Sequence, residues 1–200
     1  MLGKRAAAGG TSDSSARKGA RDDVELVGRI VHGDRRAFED LYRAYQPRLG
    51  RFLLSILRRA NLVEEVLNDT MLVVWANSDR YNGQSKVSTW IFAIAYRKAL
   101  KALRRADEPL EDHDAEKRPS LEAGPEQMLG RSQVREVLVR AIGELSPDHR
   151  AVVDLTYFHE FGYREIAELM DCPVDTVKTR MFHARRHLRR KLAGELADWL

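Results

Sequence analysis

From Asp23 onward the apolar residues of this chain recur at helical spacing and never settle into alternation, so any core it builds must come from helices packed on helices. In DVELVGRIVHGDRRAFEDLYRAYQPRLGRFLLSIL the positions Phe38, Leu41, Tyr42, Tyr45, Leu49, Phe52, Leu53 and Ile56 keep that spacing. Gly33 and Asp34 mark a break ahead of them, and Pro47 is a point where the helix should kink or restart. LVEEVLNDTMLVVWANS predicts a further helix, apolar on a wide face that holds Trp75 and acidic at Glu64, Glu65 and Asp69. RYNGQSKVS reads as a loop, because Asn82-Gly83 is a strong turn signal, and TWIFAIAYRKALKALRR resumes the helix and ends in bases.

The segment ADEPLEDHDAEKRPSLEAGPEQ then breaks the pattern, with eight acids and two bases set among three prolines and hardly any large apolar residue. That is the composition of a flexible tether. Beyond it, SQVREVLVRAIGEL and SPDHRAVVDLTYFHEF predict two helices, the second with Ser146 as N-cap and Pro147 at its first position. YREIAELM, the turn DCP and a long basic helix complete the chain. The expected fold class is therefore all-α, with two small helical domains joined by a flexible acidic linker: a disordered tail at 1–22, an N-terminal domain at 23–105, the linker at 106–126 and a C-terminal domain at 127–200. The basic, serine-containing tail leaves a targeting role open.

With 44% apolar and 32% charged residues, the composition is that of a globular chain, and no stretch reaches the roughly 20 apolar residues of a membrane span. No membrane insertion is expected. One cysteine, Cys172, excludes an internal disulfide or a cysteine-cluster metal site and fits a reducing, cytoplasmic setting. At the DCP turn it reads as a small buried residue, with oxidation sensing as the alternative. No nucleophile, base and orienting group form a recognisable motif, and no glycine loop cradles a phosphate, so no catalytic residue and no cofactor is expected. His183 and His187, four apart on one helix, lack a third ligand, and no metal site is assigned.

DTVKTRMFHARRHLRRKL carries seven Lys or Arg against one acid. At 100° per residue, Val174, Val177, Met181, Ala184, Leu188 and Leu192 form one narrow stripe for packing, while Asp175, Thr179, Phe182, His183, Arg186 and Arg190 fall opposite. A solvated face is the simpler account of the charge alone. An outward phenylalanine among cations and hydroxyls suits base edges and phosphates better. With Ile166, Ala167, Leu169 and Met170 packing the preceding short helix and Pro173 starting the next, the unit reads as a helix-turn-helix whose second helix lies in the major groove.

The stretch LSPDHRAVVDLTYFHEFGYREIAELMDCPVDTVKTRMFHARRHLRRKL resembles the promoter-reading C-terminal domain of bacterial extracytoplasmic-function (ECF) sigma factors of RNA polymerase. AFEDLYRAYQPRLGRF, VEEVLNDTMLVVW and STWIFAIAYRKALKALRR resemble the same family's core-binding and promoter-melting segments, in the right order. The resemblance implies that Lys178, Thr179, Phe182 and His183 read base edges of the minus-thirty-five element, with Arg180, Arg185 and Arg186 on the same DNA-binding helix, the first two toward phosphates. His183 stands where the family often has arginine, and Asp175 replaces a common glycine. It further implies that the loop with Asn82, Gly83, Gln84, Ser85 and Lys86 captures a flipped base of the minus-ten element, backed by Trp90, Tyr96, Arg97 and Lys101. Trp90 has an equal claim as a core anchor, and Arg97 departs from a frequent asparagine.

Glu65, Asn68 and Asp69 match the family's docking surface for the β′ clamp helices, with side-chain lengths changed. The implied partners are core RNA polymerase through its β′ and β subunits, promoter DNA and an anti-sigma factor. The implied role is initiation of transcription, as a non-catalytic polymerase subunit, for a stress or envelope-signal regulon. A helix-turn-helix regulator that acts without joining the polymerase is the alternative.

Overall fold

The computed structural model describes residues 11–107 and 129–196, and among them the regular structure is entirely helical. Helix α1 spans Thr11–Val31, α2 Arg35–Leu57, α3 Ala60–Ala76 and α4 Val87–Asp107, with a short 3₁₀ turn at Ser78–Arg80. The C-terminal half contributes α5 Leu129–Gly143, α6 Pro147–Tyr157, α7 Tyr163–Met170 and α8 Val174–Leu196.

α1 starts inside the segment that composition marks as a tail. Ala16, Arg17 and Lys18 are residue types of high helix propensity, so the helix that packs from Val27 and Ile30 onward can extend backward. Residues 1–10 lie outside the described residues, as does the linker from residue 108, its first two positions being the end of α4. The break at Gly33 and Asp34 is present. Gly33 takes φ +80, a left-handed value that glycine adopts without strain, and Asp34 caps α2 by accepting from the amides of Arg36 and Ala37 at 2.9 and 3.2 Å. Arg29 donates to the same carboxylate at 2.8 Å, which holds the carboxyl below its ordinary range.

Pro47 does not restart the helix: α2 runs through it without interruption. The ring removes one hydrogen bond, a defect of about 3 kcal/mol in an isolated helix. Tyr45, Leu49, Phe52 and Leu53 around it are all essentially fully buried, each a gain of about 1.5–3 kcal/mol, and together they outweigh the defect. Trp75 lies on the packed side of α3, edge-on to Phe38 at 5.1 Å between ring centroids.

In the C-terminal half Ser146 caps α6 as its sequence indicates, accepting from the His149 amide, with Pro147 in the first turn. Ser146→Ala is expected to cost about 0.5–2 kcal/mol, read as a lowered melting temperature by circular dichroism. Ile166, Ala167, Leu169 and Met170 bury one face of α7. α8 lays Val177, Met181 and Ala184 against α5, α6 and α7.

The two halves are not held apart. α4 packs on α7 and α2 on α6, so a single contiguous apolar core runs from Val27 to Ala184. The α6–α7 connector pushes His159 and Phe161 against Phe92 of α4, at 4.8 and 5.3 Å between ring centroids, with Phe52 of α2 alongside. Around this plug the bonds are directional. Arg150 is buried and gives one guanidinium nitrogen to the Ile56 carbonyl and another to the Gly143 carbonyl, both at 2.9 Å. Arg58, at the end of α2, reaches the same Gly143 carbonyl at 2.7 Å. Those acceptors sit at the C-terminal ends of α2 and α5, where carbonyls lack helical partners and the dipole favours cations.

Candidate nucleic-acid interface

Asp171 ends α7 in a left-handed conformation (φ 52), and the Cys172 amide returns to the Ala167 carbonyl at 3.0 Å. This closes the turn tightly enough for α8 to leave at once, its first bonds accepted by the Pro173 carbonyl. Proline therefore stands just before the helix rather than as its first residue. With the apolar stripe packed inward, Asp175, Lys178, Thr179, Phe182, His183, Arg185, Arg186 and Arg190 are exposed on the outer side of α8. Phe182 is 62% exposed, its ring beside that of His183 at 5.5 Å.

Not every expected cation shares that surface equally. Lys178 donates to Asp175 at 2.9 Å, an exposed pair of the kind typically worth about 0–1 kcal/mol and so readily exchanged for a base or phosphate. Arg185 donates to the Tyr157 hydroxyl at 3.2 Å and lies over its ring. Arg180 turns inward: it is ion-paired with Asp148 and contacts Cys172. A phosphate contact from Arg180 would require that pair to break. Behind the helix, burial and then the Arg180 guanidinium hold the His149 imidazole below its ordinary pKa, and its Nδ1 sits 2.6 Å from the Ser146 hydroxyl. His187 and Lys191 both reach Glu144, at 3.3 and 2.8 Å.

The second surface is the loop before α4. Gly83 adopts φ +72 at the turn, and the Asn82 side chain accepts from the Gln84 amide at 3.1 Å, so the loop is shaped by its own side chains. Tyr81 donates to the Ser85 carbonyl at 2.6 Å and packs its ring on Trp90 at 5.3 Å. Asp23, Val24, Tyr81, Gly83, Gln84, Ser85 and Lys86 line a concavity of about 320 Å³ that is open to solvent. Gln84 and Lys86 are exposed at its rim, and Asn82 is exposed on the same loop. Trp90 is half-buried, a position compatible with both of its readings. Arg97 and Lys101 are exposed farther along α4. Tyr96 is not available in the same way: it is buried and donates to Asp148 at 2.7 Å, and burial first, then that bond, pushes its hydroxyl pKa upward.

The third surface is α3. Glu65, Asn68 and Asp69 form an exposed ridge, tied from behind by the Tyr42 hydroxyl to Asn68 at 3.0 Å and by Lys98 to Asp69 at 3.0 Å. Leu72 continues the ridge and is 62% exposed. Motif matching passes over it, although its spacing from Glu65 and Asp69 places it on their face. Asp148, whose partner Tyr96 lies in the other half of the chain, likewise carries no motif.

Two family models match this chain. Sigma-70 region 2 covers residues 41–108, which contain the loop and the α3 ridge, and Sigma-70 region 4 covers 135–188, which contain the helix-turn-helix. The chain is 31% identical over 182 residues to an ECF RNA polymerase sigma-E factor of Salmonella typhimurium, spanning 85% of this chain and 94% of that protein. It is 29% identical over 180 residues to the factor of the same name from Haemophilus influenzae, spanning 85% and 95%. Among solved structures it is similar to the sigma factor RpoE of Bartonella quintana, determined in complex with the anti-sigma factor NepR, at 25% identity and TM-score 0.63 over 78% of this chain and 96% of that one. The fold is also that of CnrH, determined with the cytosolic domain of CnrY, at 21% identity and TM-score 0.65 over 86% and 98%. The order of the two regions, the helix-turn-helix and the near full-length match to the Salmonella protein together make this chain a member of the extracytoplasmic-function sigma factor family of bacterial RNA polymerase.

Proposed function

We propose that this chain binds core RNA polymerase, positions it through minus-thirty-five and minus-ten contacts, and helps open the start site, without catalysing a reaction itself. The observation that carries the reading is the presence, on one chain, of a basic helix-turn-helix face and a solvent-open loop pocket rimmed by Gln84 and Lys86, with Asn82 exposed on the same loop. The first suits duplex DNA and the second an unstacked base. Residues 23–105 carry polymerase docking and melting, and residues 127–200 carry minus-thirty-five recognition. Lys178, Thr179, Phe182 and His183 read bases, with Arg185 and Arg186 toward the backbone.

Glu65, Asn68, Asp69 and Leu72 form the docking face for the β′ clamp helices: a polar ridge with one apolar contact is suited to a basic coiled coil. The working place of such a subunit is the cytoplasm, and no helix among the described residues is long and apolar enough to cross a membrane. An anti-sigma factor is the regulatory partner, by analogy with the Bartonella complex. Initiation serves a stress or envelope-signal regulon, in keeping with the sigma-E relatives.

Run-off transcription with purified core polymerase on a promoter library tests the proposal. Initiation is expected to depend on this chain. Asn82→Ala is expected to keep duplex binding by the holoenzyme while slowing open-complex formation, followed by permanganate reactivity of unpaired thymines. DNA binding by the free protein with no transcription from core would instead favour a regulator that acts outside the polymerase.

A further inference from the structure

Two large aromatic side chains at the end of α6 stand largely in solvent, Tyr157 at 57% exposed and Phe158 at 68%. Tyr157 is the last residue of α6, a helix on which α8 packs. Arg185 of α8 lies over its ring, the guanidinium carbon 5.9 Å from the centroid, and donates from Nε to the hydroxyl at 3.2 Å. The hydroxyl accepts that bond and keeps its own proton to donate. Of the five N–H donors a guanidinium carries, Arg185 uses only the one on Nε here. Lys178 is paired with Asp175 and Arg180 with Asp148, whereas Arg185 meets no carboxylate among the described residues.

Helical geometry decides what those donors face. Arg185 stands three residues after Phe182 and seven after Lys178, so it lies about 60° to one side of the first and nearly in line with the second. An α-helix is about 10–12 Å across with its side chains and the major groove is about 12 Å wide. A helix seated there meets base edges along its centre line and phosphates along its flanks. We propose that Tyr157 is a positioning residue for DNA binding: it holds Arg185 along the flank of α8, so that the outer guanidinium nitrogens close on one backbone phosphate. A free arginine side chain gives up much rotamer freedom when it binds. One already laid on a ring and bonded at Nε gives up less, and its planar fork presents paired donors that match two phosphate oxygens. The DNA-contacting surface then extends from α8 to the end of α6.

The positioning role rests on the sigma-factor reading, and the test separates the two. Holoenzyme reconstituted from core polymerase and the full chain is bound to a promoter duplex below the temperature at which the strands open. The variants are Tyr157→Phe, Arg185→Ala and the two combined. Tyr157→Phe keeps the ring and removes only the hydroxyl that Arg185 uses; at so exposed a position it is expected to leave the melting temperature unchanged. It is expected to weaken promoter binding about two- to ten-fold, equally across minus-thirty-five sequences. Arg185→Ala is expected to weaken binding with a salt slope lower by about one, and adding Tyr157→Phe to it is expected to cost nothing more. Neutral methylphosphonates placed one at a time along the minus-thirty-five backbone are expected to weaken the parent most at one phosphate, and both variants are expected to lose that sensitivity. Losses that multiply in the double variant overturn the role, because Tyr157 then acts without Arg185. Parental affinity of Tyr157→Phe overturns it as well, as does a loss confined to one base pair or one matched by a lowered melting temperature. Failure of the unsubstituted holoenzyme to bind the promoter removes the sigma-factor reading and the role with it, whereas failure of the role alone leaves parental binding intact.

Discussion

Phe92→Ala is expected to cost about 3–5 kcal/mol of folding stability, read as a lower urea midpoint by circular dichroism. The ring is completely buried and packed on Phe52, His159 and Phe161, with the Arg48 guanidinium 5.5 Å from its centroid. Two of those neighbours belong to the C-terminal half. Truncation therefore opens a cavity at the junction rather than within one helical layer, where rearrangement could fill it. Double-mutant analysis with Phe161→Ala sharpens the expectation, since an aromatic pair is worth about 0.5–1.5 kcal/mol beyond its buried area. Strict additivity of the two substitutions would show that the rings do not meet in solution.

Lys178→Ala is expected to cost about 1–3 kcal/mol at a single base pair of the minus-thirty-five element, roughly 5–150-fold in promoter selection, and to relax preference at that position alone. The exposed face of α8 places Lys178 beside Thr179 and within reach of the Phe182 side. Arg186→Ala supplies the contrast. Removing a phosphate-binding cation there weakens all promoters alike and lowers the salt slope by about one. Selection from a randomised minus-thirty-five library at two salt concentrations reads both effects. A uniform weakening for Lys178→Ala would move that residue from base reading to the DNA backbone.

The helix-turn-helix was legible because one local rule governs it. The stripe Val177, Met181 and Ala184 is short in sequence and packs as a unit, so burial of one side exposes the other. The Ser146 cap, the Gly33 break and the Asn82-Gly83 turn were legible for the same reason, each being decided within a few residues. Continuity through Pro47 was not, because a local defect was overridden by the burial of Tyr45, Leu49 and Phe52. Nor was the inward turn of Arg180 or the burial of Tyr96. Both depend on Asp148, which lies 52 positions from Tyr96 and carries no pattern that marks it as a partner. The union of the two halves was hidden for a further reason: its best-buried polar bond runs from Arg150 to the main-chain carbonyl of Ile56, a group that every residue carries.

That choice of acceptor makes the junction lopsided with respect to mutation. Replacing Ile56 or Gly143 alters packing but leaves each carbonyl in place, whereas an apolar side chain at Arg150 removes the donor outright. At Gly143 even a methyl group would meet the Arg58 guanidinium at 2.7–2.9 Å, so that position tunes the second arginine without touching its own oxygen. The bonds that end on main-chain oxygens at this joint are thus written in two arginine codons. A lineage could loosen or tighten it there while its DNA-facing helix stayed the same.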